Sequence, residues 1–323
     1  MVDHAIVYNP KSAGGKSKKG IELACSYLDD LNVSYEVFES EFAGHIIELA
    51  TNLAKEGYRV IGAGGDGTCN EVLHGVITSE TGALVGFIPL GSGNDIPGAI
   101  GIPPDIKRAC EIIAEGFSRK TDIGLAKTDK GVERYFLGIG SQGFDAEVTK
   151  RTNESRKWFS GTKNYVLNVL KTLFTWKNRE VIIKMDNDKF EGTPVCIAVG
   201  NGPSYGGWMY ICQSARVHDG IFNISVVDIG KLRLLYDFNK MYSASVLPHP
   251  KIYEYESEKV RIKMKNSEDE PYLCQVDGEV LGEIPVSYEV IKDGYEFIQP
   301  KVDEVAEAFK EKYGRYFYEC SEK

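Results

Sequence analysis

The side chains and backbones best suited to chemistry lie in three small-residue loops. The first, Asn9-Pro10-Lys11-Ser12-Ala13-Gly14-Gly15-Lys16-Ser17, follows the apolar run Ala5–Tyr8. A loop of this kind between a strand and a helix presents backbone N–H groups to phosphate. It is not a P-loop, because the glycine needed five residues before Gly15 is Pro10. The second runs Gly62-Ala63-Gly64-Gly65-Asp66-Gly67-Thr68-Cys69-Asn70-Glu71 and holds a formal GxGxxG at Gly62, Gly64 and Gly67. Gly138, Gly140 and Gly143 repeat that pattern, so it is weak by itself in a glycine-rich chain. The acid that a dinucleotide site requires about 20 residues further on is missing from Phe87–Gly91. Asp66 stands where a bare pyrophosphate would bind, and anion repels anion unless a cation lies between them. A metal-bridged nucleoside triphosphate therefore fits this loop better than NAD. The third loop, Pro89-Leu90-Gly91-Ser92-Gly93-Asn94-Asp95, completes a set of hydroxyls (Ser12, Thr68, Ser92) and amides (Asn9, Asn70, Asn94).

These loops need a scaffold that brings them to one edge. Apolar runs at Ala5–Tyr8, Ser34–Phe38, Arg59–Ala63 and Leu84–Pro89 alternate with helical patterns at Lys18–Leu31, Ala43–Glu56 and Glu71–Ile77. Strands alternating with helices predict a doubly wound, mostly parallel α/β domain over 1–123. Its loops would share the carboxyl edge where open α/β sheets bind ligands. Beyond Asp122 the texture changes to short β-like runs: Arg134–Ile139, Val181–Lys184, Val195–Val199, Phe222–Val227, Val260–Met264, Leu273–Val276 and Val286–Val290. They predict an antiparallel β-sandwich or barrel, the sandwich taken over 124–298 as the substrate domain, interrupted by helices at Tyr165–Phe174 and Lys231–Ser243. Val302–Tyr313 reads as a helix whose segment, 299–323, would return to complete the first domain.

Composition narrows the function classes. The 323 residues carry 38 basic and 47 acidic side chains, a net charge of −9 that argues against general nucleic-acid binding. Seven cysteines without a CxxC pair read as reduced thiols of a cytoplasmic protein, not as a disulfide framework or zinc site. No signal peptide pattern opens the chain, and the uncharged stretch 193–215 contains too many Pro, Gly and Asn residues to span a membrane.

NPKSAGG, GGDGTCNEV and PLGSGND, in this order and spacing, resemble the diacylglycerol kinase catalytic family, which is similar to sphingosine and ceramide kinases and more distantly to NAD kinases. The resemblance continues through GIGSQGFDAEV (138–148), ARVHDGIF (215–222) and Val276-Asp277-Gly278-Glu279. It implies transfer of the ATP γ-phosphoryl group to a lipid hydroxyl, with diacylglycerol the leading acceptor and phosphatidic acid the product. It also implies a nucleotide site on Asn9, Pro10, Lys11, Ser12, Ala13, Gly14, Ser40, Gly64, Gly65, Asp66, Gly67, Thr68, Cys69, Asn70, Ser92 and Asn94. Glu279 corresponds to the proton acceptor, Asp277 to a metal-network or supporting acid, and either of the two could take the proton. Asp66 would act through Mg²⁺. Asp219, with the backbone carbonyls of Arg216 and Ile221, matches a structural Mg²⁺ site. Taken alone, Asp277-Gly278 and Asp219-Gly220 are ordinary turn signals.

From Lys150 to Arg179, eight basic residues face one acid, with Trp158, Phe159, Phe174 and Trp176 interleaved. Such a segment can steer a protein to an anionic membrane, giving peripheral contact at the inner membrane surface. The stripe Val166, Leu167, Val169, Leu170 and Leu173 fits a helix packed on the sandwich equally well. A homodimer stays open. So do a kinase of NAD or another small molecule, a nicotinamide-dependent oxidoreductase and a non-catalytic sensor. The intact Asp66, Asp277 and Glu279 weigh against the sensor.

Overall fold

The computed structural model describes residues 3–12, 16–155, 162–245, 249–266 and 268–320. The chain folds into two compact units, 1–123 with 292–316, and 124–291 with 317–323.

In the first unit the elements run β1 (His4–Tyr8), α1 (Lys16–Asp30), β2 (Tyr35–Glu39), α2 (His45–Lys55), β3 (Arg59–Gly64), α3 (Asp66–Thr78), β4 (Val85–Pro89), α4 (Asp95–Ala99) and α5 (Ile106–Glu115). The strands are parallel in the order β2-β1-β3-β4. HAIVY of β1 and VGFIP of β4 are buried along their whole length, as expected of parallel strands covered on both faces. Helix α1 packs with α5 and α2 with α3. Helix α3 begins earlier than its apolar pattern suggests, with Asp66-Gly67-Thr68 as its first turn, and α4 starts at Asp95, so much of the glycine-rich sequence is helix entry. Helices α4 and α5 lie where the sequence predicts no element.

Segment 292–316 belongs to this unit. Phe297 pairs in parallel with Val85 of β4, and its ring lies 6.0 Å from Phe87. The last helix, capped by Asp303 through the N–H groups of Val305 and Ala306, is joined to α5 by Arg108, whose Nη2 lies 2.8 Å from Glu304.

In the second unit the chain continues through β5 (Ser118–Thr128), β6 (Glu133–Phe136), β7 (Ile139–Gly143), α6 (Phe144–Ser155), α7 (Thr162–Thr175), β8 (Val181–Lys184), β9 (Lys189–Gly192), β10 (Cys196–Gly200), β11 (Ser204–Tyr205), β12 (Met209–Tyr210), β13 (Phe222–Val227), α8 (Lys231–Met241), β14 (Ile252–Ser257), β15 (Lys259–Met264), β16 (Leu273–Val276), β17 (Glu279–Glu283) and β18 (Val286–Ile298). The last helix, α9 of the first unit, spans Glu304–Tyr313. One antiparallel sheet has the order β14-β13-β10-β7-β16-β17. Opposite it β18, β15, β8 and β9 pair antiparallel in sequence. Ile139, Val199, Ile224 and Val276 from the first sheet share a buried core with Ile183, Val260, Ile262 and Tyr288 from the second. This is a β-sandwich.

Helix α7 shows how the aromatic and apolar residues of the basic segment are used. Val169 and Leu173 are buried, while Leu167 is exposed. Trp176 is buried as well, edge-on to Phe144 and 5.0 Å from Tyr272, so packing occupies an aromatic that the sequence offered to a membrane. Arg151 pairs with Glu147 and Arg179 with Glu270, which neutralises part of the positive charge. Arg156, Lys157, Trp158 and Phe159 lie outside the described residues. Among the described residues no helix is long and apolar enough to cross a membrane.

Candidate active-site residues in the two units

In the parallel sheet the chain runs from β1 outward to β2 and then returns across β1 to β3. The carboxyl ends of β1 and β3 therefore flank the switch point where ligands enter such sheets. The loops after β1, β3 and β4 all leave from this edge, as does Ser40 after β2, whose N–H donates to Tyr8 O at 2.9 Å.

Each loop is shaped by its own polar groups. Asn9 accepts the Lys11 N–H at 2.9 Å, and its carbonyl accepts from the hydroxyls of Ser12 and Ser17, both at 2.9 Å. Ser17 is 1% exposed and so acts as an internal pin of this turn. Ala13 and Gly14 lie outside the described residues. In the third loop Asn94 has φ 64°, and its amide closes a ring with Gly91: Oδ1 accepts the Gly91 N–H and Nδ2 donates to the Gly91 carbonyl, both at 3.0 Å. Its side chain is thereby occupied within the loop. Ser92 is exposed.

Asp66 joins the second loop to the third. Its Oδ2 accepts the Asn94 N–H and its Oδ1 the Ile96 N–H, each at 2.9 Å. Burial pushes the Asp66 pKa up, and these two N–H groups pull it back. Two glycines permit the junction. A Cβ on Gly93 would lie 2.5 Å from Asp66 Oδ2, and one on Gly91 would collide with the Cα of Gly65. The glycines thus allow backbone to meet backbone as well as leaving an edge free of side chains. Cys69 and Asn70 are fully buried in α3 and Thr68 nearly so, whereas Gly65, Asp66 and Gly67 are partly exposed.

In the second unit, Asp277-Gly278 is the two-residue turn of the hairpin β16–β17, with φ 49° and 86°. Asp-Gly is the sequence that tolerates two successive positive φ angles. Asp277 is 8% exposed and accepts three backbone N–H bonds: Gly138 and Ile139 to Oδ1 at 3.0 and 3.1 Å, and Leu137 to Oδ2 at 3.0 Å. A Cβ on Gly138 would come within 2.7 Å of Oδ1. Gly138 was visible in the sequence, but the contact it serves is 139 positions away. Gly278 is held at both polar atoms, its N–H by Gln275 Oε1 at 2.7 Å and its carbonyl by Asn153 Nδ2 at 3.1 Å. Glu279 follows, partly exposed, as the first residue of β17.

Asp219 is exposed and accepts the Ile221 N–H at 3.2 Å, which closes a turn with Gly220 at φ 75°. The Arg216 guanidinium lies 4.0 Å above the Tyr318 ring, and its backbone precedes this turn. Among the described residues no three His, Cys, Asp or Glu side chains gather as a metal site, so a cation would need backbone carbonyls or a ligand's own oxygens.

The comparisons with known proteins agree with this architecture. Residues 3–126 match the diacylglycerol kinase catalytic domain, and residues 138–297 match the YegS C-terminal NAD kinase beta sandwich-like domain. A diacylglycerol kinase of Staphylococcus carnosus is 30% identical over 298 residues, 92% of this chain and 94% of that protein. One from Staphylococcus aureus is 30% identical over 285 residues, 88% of each. The crystal structure of a diacylglycerol kinase from Bacillus anthracis superposes with a TM-score of 0.70 at 19% identity, covering 93% of this chain and 97% of that one.

Proposed function

This chain belongs to the diacylglycerol kinase family, and we propose that it transfers the γ-phosphoryl group of ATP to a lipid hydroxyl, converting diacylglycerol to phosphatidic acid. The observation that carries this reading is the junction at Asp66. One carboxylate ties the two glycine loops at the switch-point edge into a single surface of backbone and small side chains. Asp66 stays partly exposed, so its carboxylate can still meet a hard cation or its water. The residues fit a metal–triphosphate: an acid, the Ser12 and Ser92 hydroxyls, and a glycine edge that a Cβ would fill. Bound Mg²⁺ would neutralise the phosphate oxygens during transfer.

The chain's own residues supply the rest. The loops after β1, β3 and β4, with Ser40, would hold the nucleotide. Glu279 would accept the proton from the lipid hydroxyl as the new P–O bond forms, and ADP would leave with the bridging oxygen. Asp277, held by three N–H groups, would fix the hairpin from which Glu279 projects. Asp219 and the carbonyls of Arg216 and Ile221 would bind a second, structural Mg²⁺. Lys150 and Lys171 on α6 and α7 would favour anionic vesicles.

Labelled ATP incubated with extracted lipids or with NAD, followed by mass spectrometry of the product, tests the acceptor. Phosphatidic acid is the expected product, and labelling of NAD alone would overturn the reading. Glu279→Gln should leave ATP binding within about threefold and lower kcat by about 10²–10⁴-fold. Full retention of kcat would remove Glu279 as the base.

A further inference from the structure

The loop between β2 and α2 carries an aromatic ring to which neither packing nor phosphoryl transfer gives a role. Phe42 is 55% exposed, whereas Ile46, Ala50 and Leu53 of the helix that follows are buried. A single exposed apolar side chain is ordinary, but this one is held in place. Its ring stacks on the His45 imidazole, with centroids 4.5 Å apart and planes 10° from parallel. The imidazole is fixed in turn: its Nδ1 accepts the Glu41 N–H at 3.1 Å, and the His45 N–H donates to the Phe42 carbonyl at 3.2 Å. Gly44, at φ 86°, closes the turn between the two rings. The stack is a flat apolar surface whose orientation is set before any ligand arrives. Ser40 stands two residues before Phe42, and its N–H reaches Tyr8 O at 2.9 Å, one residue short of Asn9. Phe42 thus lies at the carboxyl edge of the sheet, beyond the β1 loop in the order β2-β1-β3-β4. From the loop after β4 to the loop after β2 is three strand spacings, roughly 14 Å. That edge accommodates a nucleotide laid across it, with phosphates at the Asp66 end and the base at β2.

We propose that the Phe42–His45 stack is the seat of the nucleotide's purine base, which lies on the open part of the Phe42 ring. This rests on the reading of the α/β edge as a nucleotide site. The two ends of the ligand then meet different chemistry. The phosphates, being charged, take backbone N–H groups and a cation at the glycine loops, while the base, flat and weakly polar on its faces, takes a ring. Removing an aromatic platform weakens base binding by about 5- to 150-fold. Every base has a π-face, so the platform reads the ring and not its exocyclic groups. ATP and GTP both use it, and any preference between them comes from polar groups at the edge of the base. His45 is a positioning residue, because it touches Phe42 and holds that ring at a fixed tilt.

The test is equilibrium binding of Mg–ATP to the full chain by titration calorimetry, with Mg–tripolyphosphate as a competitor that has the phosphates without the base. Phe42→Ala should weaken ATP about tenfold, and Phe42→Tyr, which keeps the ring, should stay within about twofold of the wild type. Tripolyphosphate should compete equally well in the wild type and in Phe42→Ala. His45→Ala, which frees the ring, should weaken ATP about threefold. Melting curves check that each variant folds. Should Phe42→Ala fail to fold, Phe42→Leu, which keeps apolar bulk without an aromatic face, gives the same reading with a smaller loss. Unchanged ATP affinity in the folded variant, an equal loss for tripolyphosphate, or a Phe42→Tyr as weak as Phe42→Ala would overturn the inference. A wild type that binds neither ligand would instead remove the nucleotide reading itself, so the two failures are separable.

Discussion

Both units fasten an aspartate with backbone N–H groups and use a glycine to let the carboxylate come close, yet the two fastenings differ. In the α/β unit Asp66 takes two N–H bonds, one per oxygen, and Gly93 stands against it. In the sandwich Asp277 takes three, from Leu137, Gly138 and Ile139, and Gly138 stands against it. A partly exposed carboxylate can still serve a cation, whereas one nearly buried among three donors is turned toward the fold. The same chemical device thus makes a binding element in one place and a fold element in the other. The sequence presents them as equals, as two acids flanked by glycine.

The sharpest way to break this contrast is to remove one charge from each. Asp66→Asn should lower kcat/KM by about 10²-fold or more, comparable to losing one electrostatic stabiliser, with a modest change in Tm. Asp277→Asn should act chiefly on stability, by about 3–4 kcal/mol, because an amide nitrogen then faces a buried N–H donor. Thermal melting beside steady-state kinetics of both variants decides the matter. If Asp277→Asn melts like the wild type and only activity falls, Asp277 belongs to the reaction.

Asp145, 8% exposed in the first turn of α6, extends the comparison to a carboxyl whose oxygens accept no hydrogen bond of ordinary geometry among the described residues. Its pKa lies above the ordinary value of 3.8, at about 6. The folded state therefore binds more protons than the unfolded chain between these values, and stability declines as pH rises through that window. Asp145→Asn escapes the penalty, so it should be more stable than the wild type at pH 7.5 by up to about 3 kcal/mol, with no gain at pH 4. Melting curves at the two pH values read this directly, and equal Tm differences at both would contradict it.

The smallest effects should come from the glycines. Gly138→Ala forces a methyl against Asp277 and should cost about 1–3 kcal/mol of stability. Gly93→Ala forces one against Asp66 and should raise the KM for ATP severalfold while moving Tm less. A reversal of that pattern would mean the two fastenings have been assigned the wrong way round.

How much of this is legible in the sequence follows from how far apart the partners lie. The four parallel strands and their loops can be read because each signal is local: an apolar run, then Gly, Asn and Ser. The Asp277-Gly278 turn is equally local, and its hairpin can be read from the dipeptide. Helix α6 is harder, since FDAEVTKRTNES has few apolar residues and a weak periodicity, and its burial is decided by the sheet it packs on. The nest around Asp277 and the contact between Ser141 and Gln275 join residues more than 100 positions apart, which no single window contains. Trp176 shows the opposite error: beside basic residues it suggests a lipid surface, yet Phe144 and Tyr272 claim its ring.

The Arg108–Glu304 clasp has a consequence for biosynthesis. The α/β unit is begun before the sandwich yet closed only after it, since 292–316 supplies the strand beside β4 and the helix against α5. Residues 124–291, the bulk of the sandwich, emerge in between and can condense while the nascent α/β half still shows the flank of β4. Domains usually mature from the N-terminus onward during translation. Here the natural order of completion is inverted, and chaperone dependence should concentrate on the half that was made first.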